Sequence, residues 1–307
     1  MRAADLFYGP EKLRALWRLL LFLACAALVL AVIGTITSPI VPEEYGGLWA
    51  IVVPHGLYGL ALLVASLVMM RGLERKRFAA LGFPLGRDTL ADLLKGAAIG
   101  GGFVAGLVVV QTLLGWLSPV PDAGTVPGWL LEVVSLALAL TVVAAAEELA
   151  VRGYAFQVLV EGAGVVLAIA LTSGLFALIH LNNPGVNWVA LLNVVLAGVL
   201  FAAAYLRTRS LWVPIGMHWG WNFVMAAFFD LPVSGIAFDV PGYDTVRLGP
   251  DLLTGGAFGP EASLLTTLFL LPLIVWVFRT PWLSESRQMA ELGPLVDSRL
   301  APQQPSV

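Results

Sequence analysis

Residues 134–159 read VSLALALTVVAAAEELAVRGYAFQVL, an apolar run that contains two adjacent carboxylates, Glu147 and Glu148, and one guanidinium, Arg152. A run of this length can cross the hydrocarbon core of a membrane as a helix, which needs about 20 apolar residues. Charged side chains inside such a helix are costly and therefore mark candidate functional positions. The stretch predicts a membrane-spanning helix that carries part of a buried polar site.

The whole 307-residue chain has the composition of a membrane protein. Hydrophobic side chains make up 59% of it and charged ones 12%, whereas a soluble domain carries roughly 25% charged residues. The mean hydropathy is +0.89. These values exclude a soluble globular enzyme, a disordered chain and a nucleic-acid-binding protein. The single cysteine, Cys25, excludes a disulfide framework and a cysteine-rich metal site.

Apolar windows of membrane-spanning length follow one another along the chain, separated by turn-forming or charged residues. The eight windows are 17–37, 47–70, 94–117, 134–159, 164–181, 187–206, 211–229 and 261–278. The sequence therefore predicts an all-α fold, a polytopic bundle of about eight transmembrane helices. We expect a single membrane domain over 1–280, followed by a mobile cytoplasmic tail over 281–307.

The charges between these windows predict the orientation. Of the 17 Lys and Arg residues, 15 lie on the side of the N-terminus, Arg247 lies on the other side, and Arg152 lies within a span. Because cytoplasmic loops carry the excess of Lys and Arg, both termini are predicted to be cytoplasmic. The preference for Ala, Gly, Leu, Val and Arg is typical of a GC-rich bacterial genome, so we expect an integral protein of a bacterial plasma membrane.

Ionisable and amide side chains concentrate in three spans at helical spacing. Glu148 and Arg152 are four residues apart and share one stripe of a helix, so they can pair, whereas Glu147 points elsewhere. The same spacing relates two further pairs, Phe176 with His180 and His218 with Asn222. At a rise of 1.5 Å per residue, Glu147 and His180 lie roughly 20 and 24 Å from the cytoplasmic ends of their spans. These similar depths predict one intramembrane cluster.

Other polar residues in or near the spans are interpreted as structural. His55 has no motif around it and is interpreted as structural or as lining a cavity. Asn193 and Gln111 are interpreted as polar contacts between helices. Residues 253–261 are interpreted as a turn that opens the last span, on the side opposite the basic loops. Glu261 is therefore kept out of the predicted catalytic set.

Taken in order, the three motifs resemble those of the type II CAAX prenyl protease family of intramembrane proteases, also called CPBP or Abi. The matching positions are Glu147, Glu148 and Arg152, then Phe176 and His180, then His218 and Asn222. The resemblance is close over 135–230, and a family core over about 135–278 fits. It implies hydrolysis of a peptide bond within the bilayer, in a cavity open to the cytoplasm.

The resemblance also implies roles for these side chains. Glu147 would be the general base that activates a water together with His180, and His218 and Asn222 would stabilise the oxyanion. Glu148, Arg152 and Phe176 would orient the catalytic groups. Activation of the water needs a base within hydrogen-bond reach of it. Stabilisation of the oxyanion needs donors aimed at the developing negative charge.

Two versions of water activation stay open. Glu147, His180 and His218 can bind one Zn²⁺, with the water in the fourth position. Alternatively, Glu147 activates the water without a metal. Members of the family are commonly described as metalloproteases, which favours the zinc version.

We therefore expect an endopeptidase that cuts a membrane-associated peptide or protein, surrounded by lipid and without a nucleic-acid partner. Two other classes stay open. A proton-coupled transporter would use the buried Glu and His residues as a relay, although no inverted repeat supports it. A catalytically idle membrane scaffold or immunity protein would keep the motifs only as structure.

Overall fold

The computed structural model describes residues 13–39, 41 and 46–293, which are mainly helical. The helices are α1 Ala15–Thr37, α2 Trp49–Val68, α3 Arg87–Leu113, α4 Val126–Arg152, α5 Tyr154–Ala163, α6 Val165–Ile179, α7 Trp188–Thr208, α8 Trp212–Phe223, α9 Asp251–Thr254, α10 Leu264–Arg279 and α11 Arg287–Leu292. Turns of π-helix continue α2 over Met69–Leu73 and α8 over Val224–Phe228, and 3₁₀ turns lie at Phe78–Leu81, Gly256–Phe258 and Pro260–Ala262. The helical class of the fold is confirmed.

A small antiparallel ribbon was not predicted. Strand β1, Leu117–Pro121, pairs with β2, Tyr243–Arg247. The sequence LSPVP of β1 has two prolines, which are depleted in strands and give no strand pattern. The ribbon joins the loop after α3 to the long loop after α8, so these two loops lie on the same side of the bundle.

Five helical segments are long and apolar enough to cross a membrane: Ala15–Thr37, Trp49–Leu73, Asp88–Leu113, Val126–Ala163 and Trp188–Thr208. The other three predicted spans correspond to shorter apolar helices, with 15 residues in α6, 16 in α10 and 12 in α8 before its π turn. A helical membrane protein is thus confirmed. The number of spans and the orientation of the termini stay predictions.

Local signals in the sequence set the ends of the helices that carry the motifs. The side chain of Thr125 accepts a hydrogen bond from the Gly128 amide and caps α4. Helix α4 ends at Gly153. The backbone there leaves no room for a side chain, since a Cβ would lie 2.2 Å from the Leu149 carbonyl oxygen. Gly164, with φ +87°, separates α5 from α6. The hairpin made by α5 and α6 returns the chain towards the level of Glu147.

Ion pairs connect the helices at one end of the bundle. Arg18 of α1 is buried and pairs with Glu74, after α2, at 2.6 Å and with Glu161 of α5 at 2.7 Å. On the same side Arg209, after α7, pairs with Glu285, after α10, at 2.5 Å. We call this the basic side, and the side of the β1–β2 ribbon the acidic side.

The predicted tail over 281–307 begins with packed residues. Leu283 and Met289 are fully buried, and residues 287–292 form α11. These two apolar side chains thus pack on the basic side of the bundle, and the domain boundary at 280 stays a prediction. Residues 294–307, on which the rest of the tail prediction falls, lie outside the described residues.

Helices α3 and α8 approach each other closely through glycines. A Cβ at Gly100 would lie 1.9 Å from the Met217 carbonyl oxygen, and one at Gly216 would lie 2.3 Å from the Leu93 carbonyl oxygen. Small residues let membrane helices approach to backbone distance. Because α8 carries His218 and Asn222, this contact fixes the position of the third motif.

Replacing Gly100 by Ala is expected to push α8 away from α3 and to lower the free energy of unfolding by about 1–3 kcal/mol, the usual cost of overpacking. Gly102→Ala is the matched control, since nothing lies within 4 Å of a Cβ at Gly102. It should be neutral or stabilising by up to about 1 kcal/mol. Thermal unfolding in detergent measures both, and equal stabilities of the two variants would contradict the packing argument.

Candidate active site

Glu148 and Arg152 form a fully buried ion pair, as their spacing predicted. Arg152 donates from Nη1 to Glu148 Oε1 at 3.0 Å and from Nη2 to the Gly198 carbonyl oxygen of α7 at 2.8 Å. The guanidinium carbon also lies 5.0 Å from the ring centre of Phe176 and 5.5 Å from that of Phe201. One cation thus joins α4, α6 and α7.

His218 connects this ion pair to Glu147. Its Nδ1 lies 3.1 Å from Glu148 Oε1, and its Nε2 lies 3.7 Å from Glu147 Oε2. The ring stacks on Phe201, with ring centres 5.3 Å apart. Both ring nitrogens of His218 therefore face a carboxylate oxygen.

His180 caps the C-terminus of α6, beside Phe176. Its Nδ1 lies 2.7 Å from the Phe176 carbonyl oxygen, and the two ring centres are 4.8 Å apart in a T-shaped arrangement. When Nδ1–H donates to that carbonyl, Nε2 is the nitrogen left for the cavity that His180 lines. The predicted contact between the two rings is present.

His55 of α2 is an unexpected member of the cluster. Its Nε2 lies 3.1 Å from Glu147 Oε1, and its Nδ1 lies 2.7 Å from the Ile51 carbonyl oxygen. The chain has three histidines, and all of them line the cavity around Glu147. The only sequence signal that could have found His55 is this shortage of histidines, because its partner lies on another helix.

Two spaces adjoin the cluster. The larger one has a volume of about 430 Å³ and is lined by His55, Glu147, His180, His218 and Asn222 among others. The smaller one, of about 20 Å³, is lined by His180, His218, Asn222, Ser234 and Glu261. About 10–15 Å³ is enough for one water, so the smaller space can hold one. The carboxamide of Asn222 makes no hydrogen bond with any described residue and faces both spaces.

Glu261 lies at the site, although the sequence placed it elsewhere. Its carboxylate accepts hydrogen bonds from Trp221 Nε1 at 2.9 Å and from the Ser234 hydroxyl at 3.0 Å, as well as from the Ser234 amide. These bonds tie α8, the loop after it and the turn before α10 together. The structural interpretation of Glu261 fits them, but the side chain also walls the smaller space.

The larger cavity lies on the acidic side of Glu147. Its walls there are Leu140 and Val143 of α4, Ile51 at the start of α2, Asn183 after α6, and Val233, Ser234, Ile236 and Phe238 after α8. The cavity that the family resemblance implied would open towards the basic side instead. The buried Glu148–Arg152 pair occupies the other side of Glu147, and the opening of the cavity towards the cytoplasm stays a prediction.

The predicted zinc ligands do not fit a metal site. Within the described residues, no group of three or more His, Cys, Asp or Glu side chains is arranged to hold a metal ion. Glu147 instead faces an imidazole Nε2 at each carboxylate oxygen, from His55 and His218. The chemistry is therefore derived from the protein's own side chains.

The fold and the site together define a helical membrane protein with a buried cluster of carboxylate, imidazole and amide groups between its helices. Residues 128–224 match the model of the family described as type II CAAX prenyl endopeptidase Rce1-like, which confirms the family resemblance of the three motifs. The matched segment contains all seven motif residues, whereas His55, Ser234 and Glu261 lie outside it. Searches among curated proteins and among solved structures gave no match.

Removing the carboxylate of Glu148 is expected to leave the buried guanidinium of Arg152 without a counter-charge. Glu148→Leu should lower the free energy of unfolding by about 3–5 kcal/mol, the cost of breaking a buried pair. The double variant Glu148→Leu with Arg152→Met should recover most of that loss, because an apolar pair of similar volume is often neutral. Thermal unfolding measures both, and a double variant no more stable than the single one would contradict the pairing.

Proposed function

We propose that the chain is an intramembrane endopeptidase in which Glu147 activates a water for attack on a peptide bond. The observation that carries this proposal is that Glu147, His180, His218 and Asn222, from three helices, line one cavity within the bundle. The family match supports an endopeptidase acting in the membrane. The metal-free version is proposed, because the predicted zinc ligands do not fit.

In the first step, a water lies between the Glu147 carboxylate and the carbonyl carbon of the substrate. Glu147 takes one proton from the water while the water oxygen bonds to the carbonyl carbon, and the carbonyl oxygen becomes an oxyanion. The Nε2 of His180, free when Nδ1–H donates to Phe176, accepts a hydrogen bond from the same water. A positioned base of this kind contributes typically 10²–10⁴-fold to the rate.

The oxyanion needs donors, and two are available. Asn222 donates from its carboxamide nitrogen, which makes no other hydrogen bond among the described residues. His218 donates from Nε2 when the ring carries a proton on that nitrogen as well as on Nδ1, which faces Glu148. Donors aimed at developing charge in a dry site are worth about 10²–10³-fold each.

In the second step, the carbon–nitrogen bond breaks. The proton held on Glu147 passes to the leaving nitrogen, so that an amine and a carboxylic acid are released and Glu147 is a carboxylate again. His55 acts through Glu147 as a positioning residue: with a proton on each ring nitrogen, it donates from Nδ1 to the Ile51 carbonyl oxygen and from Nε2 to Glu147 Oε1 at 3.1 Å. The other oxygen, Oε2, is thereby left to face the water.

Glu147→Gln is expected to abolish cleavage, because an amide of the same shape cannot accept the proton from water. The measurement is a quantitative comparison of peptide termini in membranes from cells that produce the wild type or the variant. Substrates should accumulate at full length in the variant. Glu132→Gln is the matched control, since it makes the same change on α4 but Glu132 does not line the cavity.

The outcomes separate the alternatives. Equal peptide profiles for the wild type and Glu147→Gln, with a function that both rescue, would contradict the proposal in favour of an idle scaffold. Proton-coupled uptake into liposomes without any cleavage would favour a transporter.

Exhaustive treatment of the purified protein with a strong chelator is expected to leave cleavage unchanged, because every proposed step uses protein side chains. Elemental analysis of the treated protein confirms that metal has been removed. Activity that falls on chelation and returns with added Zn²⁺ would show that the zinc version, and not the one proposed here, is correct.

A further inference from the structure

The cluster around Glu147 is closed by buried residues on its basic side, which we call the sealed floor. On its basic side lie Glu148 and Arg152, neither of which is exposed. Beyond them, Tyr154, Phe156 and Val158 of α5 are also completely buried, in an apolar core that includes residues of α1, α2 and α7. A peptide that entered from the basic side would have to separate a buried ion pair, which would leave an uncompensated buried charge.

The opposite side of the cluster is lined by surface loops. The loop after α6 contributes Asn183 and the loop after α8 contributes residues 233–238, of which Ser234, Ile236 and Phe238 are partly exposed. The two loops are tied to each other by a hydrogen bond of 2.8 Å from the Asn183 side chain to the Ser234 carbonyl oxygen. They form a rim on the acidic side, immediately above the catalytic groups.

The walls of the cavity indicate which kind of ligand it binds. Apart from the catalytic groups they are mainly aliphatic or aromatic: Ile51, Leu140, Val143, Ile179, Val233, Ile236 and Phe238. Pockets of about 300–1,000 Å³ with apolar walls and a few polar groups suit a ligand that buries most of its surface. A volume of about 430 Å³ suits a short apolar peptide segment.

The distribution of Lys and Arg residues indicates which side of the membrane the rim faces. Among the loops on the acidic side, Arg247 is the single Lys or Arg residue, and its guanidinium is bonded to the Gly256 carbonyl oxygen. The basic side carries the clusters Arg71 to Arg77, Arg207 with Arg209, and Arg279 with Arg287. Since Lys and Arg are retained in cytoplasmic loops, the acidic side faces away from the cytoplasm.

We propose that the substrate is an apolar peptide segment that reaches the site from the extracytoplasmic face, over the rim formed by the loops after α6 and α8. The identity of the substrate as a peptide rests on the proposed function, whereas its side of entry does not. The substrate class is thus an exported or outward-facing membrane peptide, and not a lipid-modified chain end that remains in the cytoplasm.

Single-cysteine labelling tests the side of entry without any need for cleavage. In a Cys25→Ser background, Ile236→Cys places a thiol in the cavity wall, Asp239→Cys places one on the exposed part of the same loop, and Glu291→Cys places one on the exposed face of α11 on the basic side. Intact cells receive a membrane-impermeant maleimide, before or after permeabilisation. The variants at 236 and 239 are expected to be labelled in intact cells, and the variant at 291 only after permeabilisation.

Each of the following outcomes would overturn the proposal. If Glu291→Cys is labelled in intact cells and Asp239→Cys is not, the orientation is reversed and the rim faces the cytoplasm. If Asp239→Cys is labelled but Ile236→Cys is not labelled under either condition, the cavity does not open at this rim. Asn182→Cys, on the exposed part of the loop after α6, replaces Ile236→Cys if that variant does not accumulate, and unlabelled Asn182→Cys in intact cells counts equally against the rim.

Failure of the proposed function has a different signature. An unchanged peptide profile in Glu147→Gln would reject the endopeptidase while the labelling pattern stands. Conversely, loss of cleavage in that variant combined with labelling from the cytoplasmic side would keep the endopeptidase and reject the entry route.

Discussion

The buried ion pair of Glu148 and Arg152 is the constraint on which the rest of the site depends. In a low-dielectric interior, a guanidinium needs both a counter-charge and partners for its remaining N–H groups. Glu148 supplies the charge, and the Gly198 carbonyl oxygen accepts a second hydrogen bond, whereas Arg152 Nε has no hydrogen-bond partner among the described residues. The faces of Phe176 and Phe201 then cover the cation. Satisfying one charge therefore fixes the relative positions of the helices that carry the first two motifs.

The neighbouring carboxylate has a different task because of the geometry of a helix. Successive residues are rotated by about 100°, so Glu147 points away from Arg152 and into the cavity. Its contacts there are imidazole nitrogens of His55 and His218, at 3.1 and 3.7 Å. Two adjacent residues of one type thus have different surroundings, one in the packed interior of the bundle and one in the cavity, where we propose that it acts as the base.

The sequence predicted those features that depend on spacing within one helix. The pairing of Glu148 with Arg152 and the contact of Phe176 with His180 both follow from a separation of four residues. Contacts between helices far apart in sequence were beyond such reasoning. For that reason Glu261 was interpreted as structural, and His55 was predicted to be structural or to line a cavity, without its contact to Glu147. The β1–β2 ribbon was missed because prolines hide its first strand. The depth of the polar residues along their helices also predicted that they lie at one level of the bundle, but not on which side of that level the cavity lies.

The orientation of His218 connects the sealed floor to the proposed chemistry. For His55 and His180, Nδ1 faces the carbonyl of the residue four positions earlier on its own helix, so each ring is oriented locally. The Nδ1 of His218 faces Glu148 instead, the same carboxylate that neutralises Arg152. Opening a path from the basic side would separate that carboxylate from its partners, and the proposed oxyanion donor would lose its orientation in the same event. A substrate that enters from the acidic side leaves the ion pair intact, so the catalytic groups stay assembled while the peptide binds.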